Sequence, residues 1–186
     1  MNSNPAWNYD SKELSLAVCG KLTADCGKLT DGAIEAITVV CCALKVLILD
    51  NLSLLTDTTF VHLANGCRPL QILWLKRGSF SDEFVAVFIT ASGNYLSDLS
   101  FNNAKEVVNQ TILALVSNTH ETLLRLDVPW CHNLIDEALG LLADSSSLLR
   151  EFILFGAPRL QISSLKNFCS RLPLERIKKF SCCHEQ

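Results

Sequence analysis

The sequence predicts an α/β solenoid: a curved parallel sheet on the inside and helices outside, in about five to six units of one strand and one helix. Three observations carry that prediction. Apolar residues repeat in one pattern at Leu44-x-x-Leu47-x-Leu49, Leu70-x-x-Leu73-x-Leu75, Leu96-x-x-Leu99-x-Phe101, Leu123-x-x-Leu126-x-Val128 and Leu149-x-x-Phe152-x-Leu154. The starts lie 26, 26, 27 and 26 residues apart, and a near-constant step of this length marks a stack of strand–helix units. Asp57, Asp82 and Asp136 then stand seven or eight residues after their runs, and apolar pairs follow three and six residues later: Phe60/Leu63, Val85/Phe88 and Leu139/Leu142. That spacing puts each pair on one helical face, turned toward a strand layer.

Taken in chain order, Cys19-Gly-Lys-Leu22-Thr-Ala24 reads as a degenerate first strand, followed by Thr30-Asp31 and a helix with Ile34 and Ile37 inward. Each later helix opens on Thr56-Asp57, Ser81-Asp82 or Ile135-Asp136, whose side-chain oxygens suit the orphan amides and positive dipole of a helix start. The unit after Leu96 has Asn109-Gln110 instead, and counting from Gln110 gives Leu113/Val116 as its inward pair. Small or polar residues (Asn65-Gly66, Ser92-Gly93, Ser117-Asn118, Ser145-Ser146) let each helix stop and reverse. Three residues before each leucine stand Cys41, Cys67, Gly93, His120 and Ser146, with cysteine as a small buried filler in the early units. Leu165 to Leu172 reads as a final helix and Leu174-x-x-Ile177 as a short last strand. The organisation is then an N-terminal segment at 1–18, a repeat domain at 19–174 and a tail at 175–186. Neither end carries the polar cap that solenoids need, which fits a fragment or ends covered by a partner.

Composition bounds the function. Of 186 residues, 49% are hydrophobic and 19% charged, enough for one sizeable core and too apolar for a disordered chain. A net charge of -3 leaves no basic stripe for a phosphate backbone, so direct nucleic-acid binding is not expected. Residues 1–10 lack the features of a secretory signal, and no apolar run approaches the ~20 residues that span a bilayer, so no membrane role is expected. The nine cysteines are too few for a disulfide scaffold and predict reduced thiols in a reducing compartment.

The step, the Thr-Asp helix openings and the cysteine near the helix end resemble the cysteine-containing leucine-rich repeats. The fullest copy is Leu126-Asp-Val-Pro-Trp-Cys131-His-Asn-Leu-Ile-Asp136-Glu-Ala-Leu139. Only Cys131 fills the family's strand-end cysteine; Leu52, Gly78, Ala104 and Ala157 stand there in the other units. Leu54-Leu-Thr-Asp-x-x-Phe60 and Trp130-Cys131-x-x-Leu134-x-Asp-Glu-Ala-Leu-Gly140 look most like the repeat-protein subunit of the complex that performs nucleotide excision repair in non-transcribed chromatin. The F-box receptors of cullin-type ubiquitin ligases are the second relative, although residues 1–40 contain no F-box. The resemblance implies a protein-binding adaptor in DNA repair, nuclear or cytoplasmic, whose partners include a repair ATPase or cullin-ligase subunits. The alternatives are a cullin-ligase substrate-recognition module and a truncated repeat segment without independent activity.

Strand side chains alternate, so the residues between the leucines face the open, concave side. These are Val46, Ile48 and Asp50; Ile72, Trp74 and Lys76; Asp98, Ser100 and Asn102; Arg125, Asp127 and Pro129; and Glu151, Ile153 and Phe155. Val46, Ile48, Ile72 and Trp74 form an apolar end with Trp74 as the expected anchor for a protein partner, unless the segment around Trp7 covers it. Asp98, Ser100, Asn102, Arg125 and Asp127 form a polar middle. Candidate chemistry elsewhere reads as structural. Cys41-Cys42 and Cys182-Cys183-His184 lack zinc-site spacing, and Cys131-His132 has a packing explanation. No phosphate-loop, dinucleotide, nucleophile-elbow or zinc-protease motif occurs. A non-catalytic protein with no cofactor and no metal is expected.

Overall fold

The computed structural model describes residues 21–25, 28–102, 109–130, 132–154, 156–171 and 179–181. Strands and helices alternate along them: β1 (Lys21–Asp25), α1 (Asp31–Val40), β2 (Val46–Asp50), α2 (Thr58–Gly66), β3 (Ile72–Lys76), α3 (Asp82–Ser92), β4 (Asp98–Asn102), α4 (Asn109–Asn118), β5 (Arg125–Asp127), α5 (Asp136–Ser145), β6 (Glu151–Ile153), α6 (Ile162–Arg171) and β7 (Lys179–Ser181). The seven strands make one parallel sheet in sequence order. A helix follows each of the first six, so the α/β solenoid plan holds. The sheet extends through β7, inside the stretch that the sequence reading assigned to a tail; the predicted strand at Leu174–Ile177 lies outside the described residues, as do segment 1–18 and Cys131.

The leucines of the repeat form the sheet's inner face. Leu47, Leu49, Leu73, Leu75, Leu99, Phe101, Leu126 and Phe152 are buried, and the helices lay Ile34, Phe60, Leu63, Val85, Phe88, Leu139 and Leu142 onto them. Phe60 is the hub of an aromatic cluster, meeting Phe80 edge-on at 5.0 Å between ring centroids and Phe88 at 5.8 Å. Such pairs add about 0.5–1.5 kcal/mol each beyond their buried area.

Two register readings are corrected. In α4 the buried pair is Ile112 and Leu115, while Leu113 is exposed. Asn109, not Gln110, occupies the place of the aspartate, and the helical phase counts from there. Likewise Thr119, not His120, fills the buried helix-end position, with its hydroxyl donating to the Leu115 carbonyl at 2.8 Å. This unit has the 27-residue step, and the extra residue shifts His120 outward.

The aspartates work differently from the sequence expectation. No N-cap side chain of α1, α2, α3 or α5 bonds its own helix, although Thr56 Oγ1, beside the α2 cap, accepts the Thr58 amide at 3.3 Å. The carboxylates reach forward to the next unit instead. Asp31 accepts from the Thr56 amide at 3.0 Å and from the Thr56 and Thr59 hydroxyls at 2.6 Å. Asp57 accepts the Ser81 amide, Asp82 the Gln110 and Thr111 amides, and Asp136 the Gln161 amide, all at 2.7–3.0 Å. Each carboxylate thereby satisfies amides at the start of the following helix. Asn109, the one substitution in this series, leaves its buried Oδ1 without a hydrogen bond among the described residues.

A left-handed residue recurs just past the strands, at Asn51 (φ 58°), Arg77 (φ 58°), Trp130 (φ 63°) and Gly156 (φ 66°). The chain uses it to leave the sheet toward the next helix. Asn and Gly adopt this conformation readily, whereas Arg and Trp do so under strain.

The expectation of reduced thiols is corrected at Cys41. It is disulfide-bonded, while Cys42, Cys67 and Cys169 are free.

Candidate protein-binding face

Parallel pairing stacks equal positions into ladders across the sheet face opposite the helices. One ladder runs Val46, Ile72, Asp98, Arg125, Glu151; its neighbour runs Ile48, Trp74, Ser100, Asp127, Ile153. Lys76 pairs with Asn102 one step further along. The side chain of Asn102 and the whole of Phe155 lie outside the described residues. Val46, Ile48, Ile72, Trp74 and Lys76 are half-buried, and Ile153 is buried.

The polar middle and the apolar end meet at one side chain. Arg125, 18% exposed, donates from Nη1 to Asp98 Oδ1 and from Nη2 to Asp127 Oδ2, both at 2.9 Å, and its Nε lies 3.4 Å from Glu151 Oε2. Its guanidinium also lies 4.7 Å from the Trp74 ring centroid. The Trp74 indole N–H donates to Asp98 Oδ1 at 2.8 Å, and Lys76 Nζ sits 5.5 Å from the same ring. Ser100 donates to Asp127 Oδ2 at 3.1 Å. Ser100 is buried and lies between Trp74 and Asp127 in the ladder, so its small side chain leaves the space through which Arg125 reaches the ring from two strands away.

Burial disfavours the Arg125 charge, but the hydrogen bonds and negative charges of Asp98 and Asp127 outweigh it and raise its pKa. The result is a permanently charged guanidinium in a fixed plane. A second pair sits at the strand exits, where Arg77 Nε donates to Asp50 Oδ1 at 2.8 Å. Burial raises the Asp50 pKa, yet the Arg77 contact and the Asn51 amide hold it below the usual carboxylate range.

The sequence therefore located the ladders and their two characters. It did not reveal that the Trp74 indole N–H bonds Asp98 and that its ring meets Arg125. The signal was present in part: Trp74, Asp98 and Arg125 occupy successive strands at adjoining positions, where diagonal contacts between long side chains are within reach.

Among the described residues, no group of three or more His, Cys, Asp or Glu is arranged to hold a metal ion. Burial, with a smaller contribution from Cys42, pushes the Cys67 thiol up to about 11, which keeps it protonated at neutral pH. No helix among the described residues is long and apolar enough to cross a membrane.

No protein-family model matches the chain, and no curated protein matches it in sequence. Solved structures share its fold. A chain of the yeast Rad7–Elc1 complex superposes with a TM-score of 0.73 at 19% identity, over 83% of this chain. This chain spans 40% of that longer one. The C-terminal domain of tropomodulin from Caenorhabditis elegans matches with a TM-score of 0.53 at 13% identity, over 69% of this chain and 82% of its own length.

Proposed function

We propose that the chain is a non-catalytic protein-interaction module whose working surface is the open sheet face, serving as an adaptor in nucleotide excision repair linked to a ubiquitin ligase. The observation that carries the reading is the ordered Trp74–Asp98–Arg125–Asp127 unit beside half-buried Val46, Ile48 and Ile72. Preorganised aromatic and arginine side chains beside apolar surface are the usual centre of a protein interface. The repair setting rests on the sequence resemblance to the excision-repair repeat subunit; the fold likeness to a chain of the Rad7–Elc1 complex supports a protein-interaction module of this architecture. The number of units, five to six of about 26 residues, belongs to the same reading, as does nuclear or cytoplasmic residence.

Affinity recovery of the full chain from its own cells, beside an Ile48→Glu variant of equal thermal stability, tests the proposal. Recovery of a repair ATPase or ligase subunits that is lost in the variant is the expected result. A partner set unaffected by a charge at Ile48 removes the sheet face from the function. Recovery of the F-box adaptor with no repair protein favours a cullin-ligase substrate receptor instead.

A further inference from the structure

We infer that the open sheet face takes a peptide segment in which a cluster of apolar side chains is followed by a lysine or arginine, the apolar part on Val46, Ile48 and Ile72 and the cation on Asp98 and Asp127. This rests on the face being the interaction surface and goes further, by naming the chemistry of what it holds.

The charge on the face is uneven. Val46 and Ile48 on β2 and Ile72 on β3 carry none. On β4 and β5, Asp98 and Asp127 share a single guanidinium, that of Arg125. Glu151 Oε2 lies 3.4 Å from the same guanidinium, and Lys76 on β3 brings a second cation beside the Trp74 ring, so three carboxylates face two cations. The two aspartates spend their oxygens unequally. Asp98 Oδ1 takes both Trp74 and Arg125, and Asp127 Oδ2 takes both Ser100 and Arg125. Asp98 Oδ2 and Asp127 Oδ1 make no hydrogen bond among the described residues. The surface thus combines half-buried apolar area, a surplus negative charge and two carboxylate oxygens that make no hydrogen bond among the described residues. An incoming ammonium or guanidinium answers the last two, and an acidic group meets repulsion there.

The spacing follows from the register. Ile48, Trp74, Ser100 and Asp127 occupy one ladder on four consecutive strands, which puts the cation subsite about 14 Å from Ile48 at ~4.8 Å per strand. A segment crossing the strands covers that span in about four extended residues or about three turns of helix.

Two labelled synthetic peptides provide the test. Both carry a leucine cluster, and they differ only in a set of lysines or glutamates placed at and beyond that span. Anisotropy titrations of the full chain are expected to give the lysine peptide about tenfold tighter binding at low salt, with the preference shrinking as salt is raised. Asp98→Asn with Asp127→Asn is expected to abolish the preference while leaving apolar binding. The salt titration of the unsubstituted chain reads the same charge term if that variant fails to fold. Equal binding of both peptides, lost in Ile48→Glu, overturns the cation subsite and leaves the face as the binding surface. Binding unaffected by Ile48→Glu, or no binding of either peptide, overturns both.

Discussion

Arg125 and Trp74 hold one another in place, and the physical meaning of that contact is orientation more than strength. A guanidinium stacked on an indole contributes about 0.5–2 kcal/mol. A Trp74→Ala, Arg125→Met double-mutant cycle read by urea denaturation is expected to return a coupling in that range; zero coupling means that the stack adds nothing. Truncating Arg125 alone is the harsher change. It leaves Asp98 and Asp127 facing each other in a largely shielded site, so Arg125→Ala should cost about 2–4 kcal/mol, more than Trp74→Ala removes through its lost hydrogen bond. At the strand exits, Gly156 combines φ 66° with a Trp130 ring atom 2.3 Å from where a Cβ would stand. Gly156→Ala is expected to destabilise by at least about 1 kcal/mol, whereas Gly32→Ala, with open space around it inside α1, should stabilise by a few tenths to about 1 kcal/mol. Equal melting temperatures for the two variants contradict this. These conformational facts were not legible in the sequence, because an arginine or tryptophan in a left-handed turn carries no turn signature of its own.

Among the elements, the forward-reaching aspartates decide how one unit is fixed to the next. Asp31 titrates below the ordinary carboxylate range: burial pushes its pKa up, and the Thr56 and Thr59 bonds overcome that. A carboxyl held low in the folded chain adds stability that is complete above its unfolded pKa of about 3.9 and disappears as pH falls through the folded value. Asp50 has the same sign. Urea midpoints should therefore fall between about pH 5 and pH 2, and Asp31→Asn should flatten that slope; an unchanged slope separates Asp31 from acid stability. The α4–α5 junction offers the converse experiment. Asn109→Asp supplies the carboxylate present at the other junctions and is expected to raise stability by about 1 kcal/mol at neutral pH, with the gain lost in acid. A lower melting temperature in the variant refutes that assignment. Element existence was readable from the leucine step and the Asp positions. Their bonding was not, because a Thr-Asp at a helix start looks the same whether it serves its own helix or the next. The misjudged α4 phase has the same root: where Asp gave way to Asn, the landmark for counting was lost.

For the whole molecule, strands and helices contact their sequence neighbours, and no long-range closure ties the first described strand to the last. Stability in such a stack is a sum of unit and nearest-neighbour terms. Amide exchange should be slowest in β3 and β4, flanked on both sides and backed by the Phe60 cluster, and should rise toward β1 and β7. Uniform protection along the sheet would instead indicate a single cooperative block. The fold was the most legible level, because a leucine run repeated five times is a redundant signal that survives local substitutions. The face was legible as two ladders, yet its internal bonding depends on which diagonal contacts form, and sequence spacing alone does not rank them.

The aspartate bonds all point one way along the chain, from each helix start to the one after it. Every such unit brings an acceptor for its successor and a donor for its predecessor, so a block copied or deleted in register leaves the ledger of partners balanced. Gene-level gain or loss of one strand–helix block is therefore structurally tolerable at most junctions, and least so beside Asn109. The same directionality makes the solenoid a scaffold that evolution can lengthen without redesigning its seams.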